Sequence, residues 1–131
     1  MPGRERRRRV LVADDEKLIA DTLAQILNSN GFVAEAAYSG EQAVEKASFL
    51  RPDLFIADVF MGGMNGVESA VSIKKLLPQC EVILCSGQIA SEELVHNARV
   101  QGYEFVLLLK PVHPQVLLDR LNWMWRADGA A

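Results

Sequence analysis

The sequence lacks most features of secreted and membrane proteins. It has only two cysteines in 131 residues, no apolar stretch near the ~20 residues of a transmembrane helix, and no apolar signal-peptide core at its N-terminus. Cys80 and Cys85 lie five residues apart around one predicted strand, so their side chains point to opposite faces and cannot form a disulfide. We therefore expect a cytoplasmic protein with reduced thiols and no membrane partner.

Positive charge is scarce after the first nine residues. Five of the 14 basic residues precede Val10, and nine basic against 16 acidic residues follow, which gives the remainder a net charge of −7. An acidic domain repels phosphate backbones, which argues against a nucleic-acid partner. Since a terminal block of like charge is typically solvated, we predict a disordered basic arm over residues 1–9, one domain over 10–127 and a tail over 128–131.

Short apolar runs alternate with helical patterns along the chain. The predicted strands are residues 10–13, 32–37, 54–57, 81–85 and 105–109, and the predicted helices are 17–30, 40–51, 67–77, 91–100 and 114–127. The apolar residues expected on one face of the first helix are Leu18, Ile19, Leu23, Ile26 and Leu27. We expect Asn30-Gly31 to end this helix and Ser91 to be the N-cap of the fourth.

This alternation predicts an α/β fold. Five strands, each followed by a helix, form a doubly wound parallel sheet with helices on both faces. Right-handed crossovers leave few topologies, and we expect the flavodoxin-like strand order 2-1-3-4-5. In that order the first and third strands are neighbours, and their carboxyl ends share the crevice where such sheets bind ligands.

Polar residues stand where the predicted strands end. Asp14 and Asp15 follow the first strand, Asp58 the third, Ser86 the fourth and Lys110 the fifth. Each could be a turn, helix-end or surface residue on its own, but their joint placement indicates one site. Carboxylates at ~5 Å repel by about 3 kcal/mol per pair at an effective dielectric of ~20. A hard cation with oxygen ligands, above all Mg²⁺, would relieve this repulsion.

These residues, with their neighbours, resemble a known family. The matching pieces are Asp14-Asp15, Asp58-Val59-Phe60-Met61-Gly62-Gly63-Met64-Asn65-Gly66, Ser86-Gly87 and Lys110-Pro111. Together they are similar to the receiver domain of bacterial two-component response regulators, over about Val10 to Arg126. The resemblance implies phosphoryl transfer to Asp58 from a histidine kinase or a phosphotransfer protein of a phosphorelay.

The resemblance also implies a role for each residue. The implied Mg²⁺ ligands are Asp14, Asp15, Asp58 and the backbone carbonyl of Phe60. Lys110 and Ser86 would bind the phosphoryl group, and the new charge would change the surface near the fourth helix and fifth strand. The domain would hydrolyse its own acyl phosphate, so it would be a signalling phosphoacceptor and not an enzyme with a separate substrate. Phe60 and Gln88 would flank the path of the hydrolytic water.

The sequence departs from the family pattern in three places. Gly62 stands where proline is usual, and one extra residue lies between Gly102 and the lysine. Leu107 stands three residues before the lysine, where the family usually has Tyr or Phe. Leu107 has no aromatic ring for the usual switch, so Phe105 and Tyr103 are the candidate switch aromatics.

Two alternative functions remain open at this point. A degenerate receiver would bind a partner without phosphorylation, which Leu107 allows but intact Asp58 and Lys110 disfavour. A phosphohydrolase of the haloacid-dehalogenase type would need an Asp-x-Asp run after the first strand, whereas Asp14 and Asp15 are adjacent. The sequence carries no output-domain motif after the last helix, so we expect a stand-alone receiver that contacts a downstream protein, with a fragment of a longer regulator as the alternative. A homodimer through the fourth helix, fifth strand and fifth helix is a candidate assembly.

Overall fold

The computed structural model describes residues 7–129, in which strands and helices alternate. The elements are β1 (Arg9–Ala13), α1 (Lys17–Asn28), β2 (Val33–Ala37), α2 (Gly40–Leu50), β3 (Leu54–Asp58), α3 (Gly66–Leu76), β4 (Glu81–Ser86), α4 (Ala90–Val100), β5 (Val106–Leu109) and α5 (Pro114–Gly129). None of the helices within these residues has both the length and the apolar character that a bilayer span requires.

The strands form one parallel sheet in the order β2-β1-β3-β4-β5, which confirms the predicted fold class and topology. In the register, Ala13 on β1 lies beside Ala57 on β3. Asp58 at the end of β3 lies beside Cys85 on β4. The carboxyl ends of β1, β3 and β4 therefore meet at one edge of the molecule.

Two apolar layers cover the sheet, one on each face. On one face, Val12 and Ile56 pack with Leu27 of α1 and Leu121 of α5. On the other face, α2, α3 and α4 cover side chains that include Phe55. Because the central strands are buried on both faces, they read as continuous apolar runs and not as alternating patterns.

The two cysteines lie on opposite faces of the sheet, as predicted. Cys80 is in the layer covered by α2, α3 and α4, whereas Cys85 packs against the α1 and α5 layer, and both are free thiols. Burial raises the pKa of Cys80 to about 12 and that of Cys85 to about 11. Both thiols are therefore protonated at neutral pH.

The first helix differs from its predicted form in two ways. It ends at Asn28, and the residue with positive φ (+92°) is Gly31, three residues further on. Leu18 is 79% exposed, while the buried face contains Ala24 and Leu27. At about 100° per residue, Leu18 lies about 180° from Leu27. The prediction that both belong to one apolar face was therefore wrong for Leu18, and Ile19, which was predicted on the same face, is 43% exposed.

The fourth helix begins differently from its prediction. It starts at Ala90 after Ile89, and Ile89 provides no side-chain cap. Ser91 is buried and its hydroxyl donates to the carbonyl of Gln88 at 2.6 Å, so Ser91 acts as a donor to the preceding turn. The N-cap prediction failed because a Ser hydroxyl can serve either role.

Smaller boundary differences affect both ends of the chain. Arg9 belongs to β1, and α5 continues to Gly129, so regular structure extends into the predicted arm and tail. Residues 1–6 of the arm and 130–131 of the tail lie outside the described residues. The Arg8 guanidinium lies 5.0 Å from the centre of the Trp125 ring, which is 5.6 Å from Phe32.

Candidate functional site

The three predicted carboxylates meet at the carboxyl edge of the sheet. Asp14 follows β1, and it is held by a hydrogen bond from its N–H to Ala37 and by one from Glu16 N–H to its carboxylate at 2.9 Å. Asp58 ends β3, and Asp15 lies exposed beside Asp14. Carboxylate oxygens of Asp14, Asp15 and Asp58 all lie within 4.8 Å of one another. The sheet topology thus brings together residues 44 positions apart in the sequence.

Lys110, which follows β5, places a positive charge beside the carboxylates. Its Nζ is 3.2 Å from Asp58 Oδ2 and 3.6 Å from Asp14 Oδ2. Its backbone N–H donates to Ser86 at 2.9 Å, which ties the end of β5 to the end of β4. The ammonium group is therefore held beside the carboxylates by the sheet itself.

The charges in the cluster do not balance. Burial is the main cause that raises the pKa of Asp58; the charge of Asp14 adds to this effect, and Lys110 opposes it. Burial lowers the pKa of Lys110, but the hydrogen bond and charge of Asp58, with the charge of Asp14, raise it overall. Three carboxylates thus face one ammonium group. This all-oxygen donor set fits a hard divalent cation.

Ser86 lies near this cluster in a fixed position. It is buried at the end of β4, where it pairs with Leu109. Its hydroxyl oxygen accepts a hydrogen bond from Gln88 N–H at 3.0 Å, and the carbonyl of Gln88 accepts the bond from Ser91 described above. A hydroxyl that accepts one bond can still donate its proton to another group. Ser86 is therefore suited to bind an anion beside Lys110.

The loop after Asp58 is fixed at its base. Val59 N–H donates to Cys85 at 2.9 Å, and Gly66 N–H donates to Val59 at 2.7 Å. A Cβ at Gly66 would lie only 2.3 Å from the carbonyl oxygen of Asp58, so this position requires glycine. The Phe60 ring is partly buried and packs against the core layer below α2, α3 and α4.

The candidate switch aromatics lie away from Ser86. Phe105 is buried just before β5, and its ring stacks on that of Tyr103 with 6.2 Å between centroids. Leu109 is the residue paired with Ser86. Phe105 is four residues earlier, about 13 Å along an extended chain. Leu107 is closer to Ser86 and is partly buried against the same core layer.

Two features near the site were not predicted from the sequence. A cavity of about 500 Å³ lies between α1 and the segment after Lys110, with mostly apolar walls that include Leu23, Ile56 and Val112. The carboxylate of Glu41 on α2 contacts the loop after Asp58 through Met64 N–H. No periodic pattern marks either feature, because both depend on how separate elements approach each other.

Comparisons with known proteins agree with this geometry. The family described as the response regulator receiver domain matches residues 10–122, and the chain belongs to this family. Receiver domains of response regulators act in two-component signalling, and they are signalling domains rather than metabolic enzymes. This assignment confirms the predicted family and removes the support for a phosphohydrolase.

Individual relatives show the same similarity. The chemotaxis protein CheY of Thermotoga maritima is 31% identical over 116 residues, which cover 88% of this chain and 95% of CheY. The response regulator protein VraR of Staphylococcus aureus is 35% identical over 126 residues, 92% of this chain but 58% of VraR. Among solved structures, Vibrio cholerae CheY4 has a TM-score of 0.78 and 26% identity, and covers 89% of this chain and 98% of its own.

Proposed function

We propose that this receiver domain takes a phosphoryl group onto Asp58. The observation that carries the proposal is the cluster of three carboxylates within 4.8 Å of one another, with the Lys110 ammonium 3.2 Å from Asp58. A single carboxylate or lysine at a strand end would have ordinary explanations. Their convergence supports a site that binds both a divalent cation and a phosphoryl group.

Asp58 is the nucleophile in this proposal. One of its carboxylate oxygens forms a bond to phosphorus while the P–N bond of a phosphohistidine breaks, and the imidazole leaves with the electron pair. Asp58 suits this role because it sits at the strand end, in contact with Lys110. The donor is a sensor histidine kinase or a phosphotransfer protein.

The metal in the proposal is Mg²⁺. The groups that would hold it are Asp14, Asp15, Asp58 and the backbone carbonyl of Phe60. When bound, Mg²⁺ neutralises negative charge on the transferred group. The short distances among the three carboxylates support this assignment.

Lys110 and Ser86 hold the phosphoryl group once it has been transferred. Lys110 pairs with one phosphoryl oxygen, and the Ser86 hydroxyl donates to another. The added charge of about −1.5 to −2 attracts the Ser86 hydroxyl and shifts it toward the phosphoryl group. Because Ser86 is bonded to Gln88 just before α4, this movement changes the surface formed by α4 and β5. Hydrolysis by the domain itself then resets the signal.

The output of the domain is contact with another protein. We propose a cytoplasmic downstream partner, with a homodimer through α4, β5 and α5 as a further candidate. Four exposed apolar side chains on these elements support an interaction there: Val100, Leu109, Val116 and Trp123. The stacked Tyr103 and Phe105 remain candidate switch aromatics, although their distance from Ser86 favours an indirect coupling.

Incubation with acetyl phosphate and Mg²⁺ tests the proposed function. We expect intact-protein mass spectrometry to show one phosphoryl group per chain, acquired slowly and lost on standing. If the chain is not modified at any Mg²⁺ concentration, the result would favour a degenerate receiver that binds a partner without phosphorylation. The specific argument for that alternative is Leu107, which stands where the family usually has Tyr or Phe. Turnover of acetyl phosphate faster than the decay of the isolated phosphorylated chain would contradict both readings, because self-dephosphorylation limits a receiver to that rate.

A further inference from the structure

We call the loop that follows Asp58 the acceptor loop (residues 59–65). Its first part is anchored by buried side chains, and its second part begins with two glycines. Val59 and Met61 are buried and anchor its first part. Gly62 and Gly63 have no side chains to pack, and a Cβ at Gly62 would meet no atom within 4 Å. Asn65 at the end of the loop is held by its capping box with Glu68, so the stretch from Gly62 to Gly63 depends on contacts made by the backbone around it.

The N-terminus of α2 provides such contacts. Glu41 Oε2 accepts a hydrogen bond from Met64 N–H at 3.1 Å. A Cβ at Gly63, where φ is +75°, would lie 2.8 Å from the same oxygen, and a Cβ at Gly40 would lie 2.6 Å from the carbonyl oxygen of Met64. The absence of side chains on Gly40 and Gly63 lets the two segments approach. We call these four residues the α2 clasp.

Glu41 is well suited to hold this contact as an anion. It lies in the first turn of α2, where the helix dipole favours a negative charge. Hydrogen bonds from its own backbone N–H and from Met64 N–H lower the pKa of its carboxyl. The carboxylate is therefore charged at neutral pH, and an ionised acceptor makes a stronger hydrogen bond than a neutral one.

We infer that Glu41 is a positioning residue for the metal site, which rests on the proposed function. Phe60, whose carbonyl is a proposed ligand, lies two residues before the Gly62-Gly63 pair. Buried Met61 lies between Phe60 and these glycines, so without the clasp their freedom reaches Phe60 only in part and weakens, but does not abolish, the alignment of its carbonyl. The hydrogen bond from Met64 N–H to Glu41 thus restricts the backbone of the acceptor loop, as a proline at position 62 would do.

The first test compares Mg²⁺ affinity by titration calorimetry. We expect Glu41→Ala to raise the Mg²⁺ dissociation constant about fivefold, since it removes one charge-assisted contact. Glu41→Gln keeps an acceptor oxygen but loses the charge, so its affinity should fall clearly less than that of Glu41→Ala. Glu45→Ala is the matched control, because Glu45 is exposed on the same helix and its removal changes the net charge equally.

The second test is a rescue. If the clasp acts by restraining the two glycines, Gly62→Pro in the Glu41→Ala background should restore most of the Mg²⁺ affinity. An unchanged affinity in Glu41→Ala would overturn the inference, and so would a Glu41→Gln variant as weak as Glu41→Ala, because the effect would then be one of charge alone. Thermal unfolding without Mg²⁺ shows that each variant is folded. An unsubstituted chain that neither binds Mg²⁺ nor accepts a phosphoryl group would overturn the proposed function as well.

Discussion

Asp58 and Lys110 are in contact in the structure, and the proposed function assigns them different chemical roles. In the proposed function, Asp58 would offer the oxygen that attacks phosphorus, whereas Lys110 would offer only positive charge. The sequence alone placed both residues at strand ends, because a buried parallel strand has a clear apolar run that stops at the first charge. It could not show that Lys110 would also contact Asp14 at 3.6 Å, since that distance depends on side-chain direction.

Removing each of these groups should have different results. Asp58→Asn replaces the nucleophile with an amide, so we expect no phosphorylation by acetyl phosphate. Lys110→Ala should retain partial acceptance but lose the response of the α4 and β5 surface. Peptide mass spectrometry locates the phosphoryl group, and amide NMR shifts report the surface. A phosphoryl group found on a residue other than Asp58 would exclude the assignment.

Phe60 is the residue that we expect to set the lifetime of the phosphorylated form. A phenyl ring near the phosphoryl group excludes the attacking water and offers it no hydrogen bond, and the neutral Gln88 offers no strong base. Phe60→Asn should therefore accelerate self-dephosphorylation, measured as decay of the phosphorylated mass after donor removal. The ring is partly packed against the core in this structure. An unchanged or slower decay would mean that it stays there and does not shield the site.

At the scale of elements, what the sequence predicted depended on the kind of signal. All five strands and helices were anticipated, because buried strands and amphipathic helices have different periods. The face of α1 was less certain, because Leu18 is apolar yet exposed, and only packing decides which apolar residues are buried. The start of α3 could have been predicted more exactly from the sequence. Asn65 and Glu68 form a reciprocal capping box, and the Asn-x-x-Glu pattern indicates such a helix start.

The junction between β3 and α3 is the element boundary most sensitive to a single methyl group. In Gly66→Ala, the new Cβ would lie 2.3 Å from the Asp58 carbonyl oxygen and 3.0 Å from the Val59 Cα. Both are backbone atoms of the proposed phosphoacceptor Asp58 or of its neighbour, so relief requires a backbone shift. We expect a loss of about 1–3 kcal/mol in the free energy of unfolding and slower phosphorylation.

Urea unfolding and the acetyl phosphate reaction measure these two effects. Gly62→Ala is the matched control, because a Cβ there meets no atom within 4 Å and should change stability little. Equal unfolding free energies for Gly66→Ala and Gly62→Ala would show that the junction relaxes without cost.

For the molecule as a whole, we expect the acidic cluster to couple metal binding to stability. The folded sheet brings three carboxylates together, and the unfolded chain separates them, so a cation bound to the cluster stabilises the folded form. With ~10 mM Mg²⁺ and a dissociation constant of ~1 mM, the gain is about 1.4 kcal/mol. We therefore expect the melting temperature to rise with Mg²⁺ concentration.

Asp15→Asn provides the comparison for this effect. Asp15 is exposed, so the substitution should leave the fold intact while it removes one carboxylate, and the response to Mg²⁺ should shrink. If the melting temperatures of the unsubstituted chain and of Asp15→Asn do not change with Mg²⁺ concentration, the cluster does not bind the ion as proposed.

The positions of the two tryptophans determine which changes intrinsic fluorescence can detect in this protein. Both are on α5; Trp123 is 71% exposed, and Trp125 lies against Phe32 and Arg8, at the edge of the sheet where β1 and β2 begin. Asp58 is at the other end of the strands, about 13 Å along β1. Intrinsic emission should therefore follow unfolding and remain nearly silent during phosphorylation. A fluorophore attached through Ile89→Cys, at a side chain 85% exposed next to α4, would give the optical signal that the native chromophores lack.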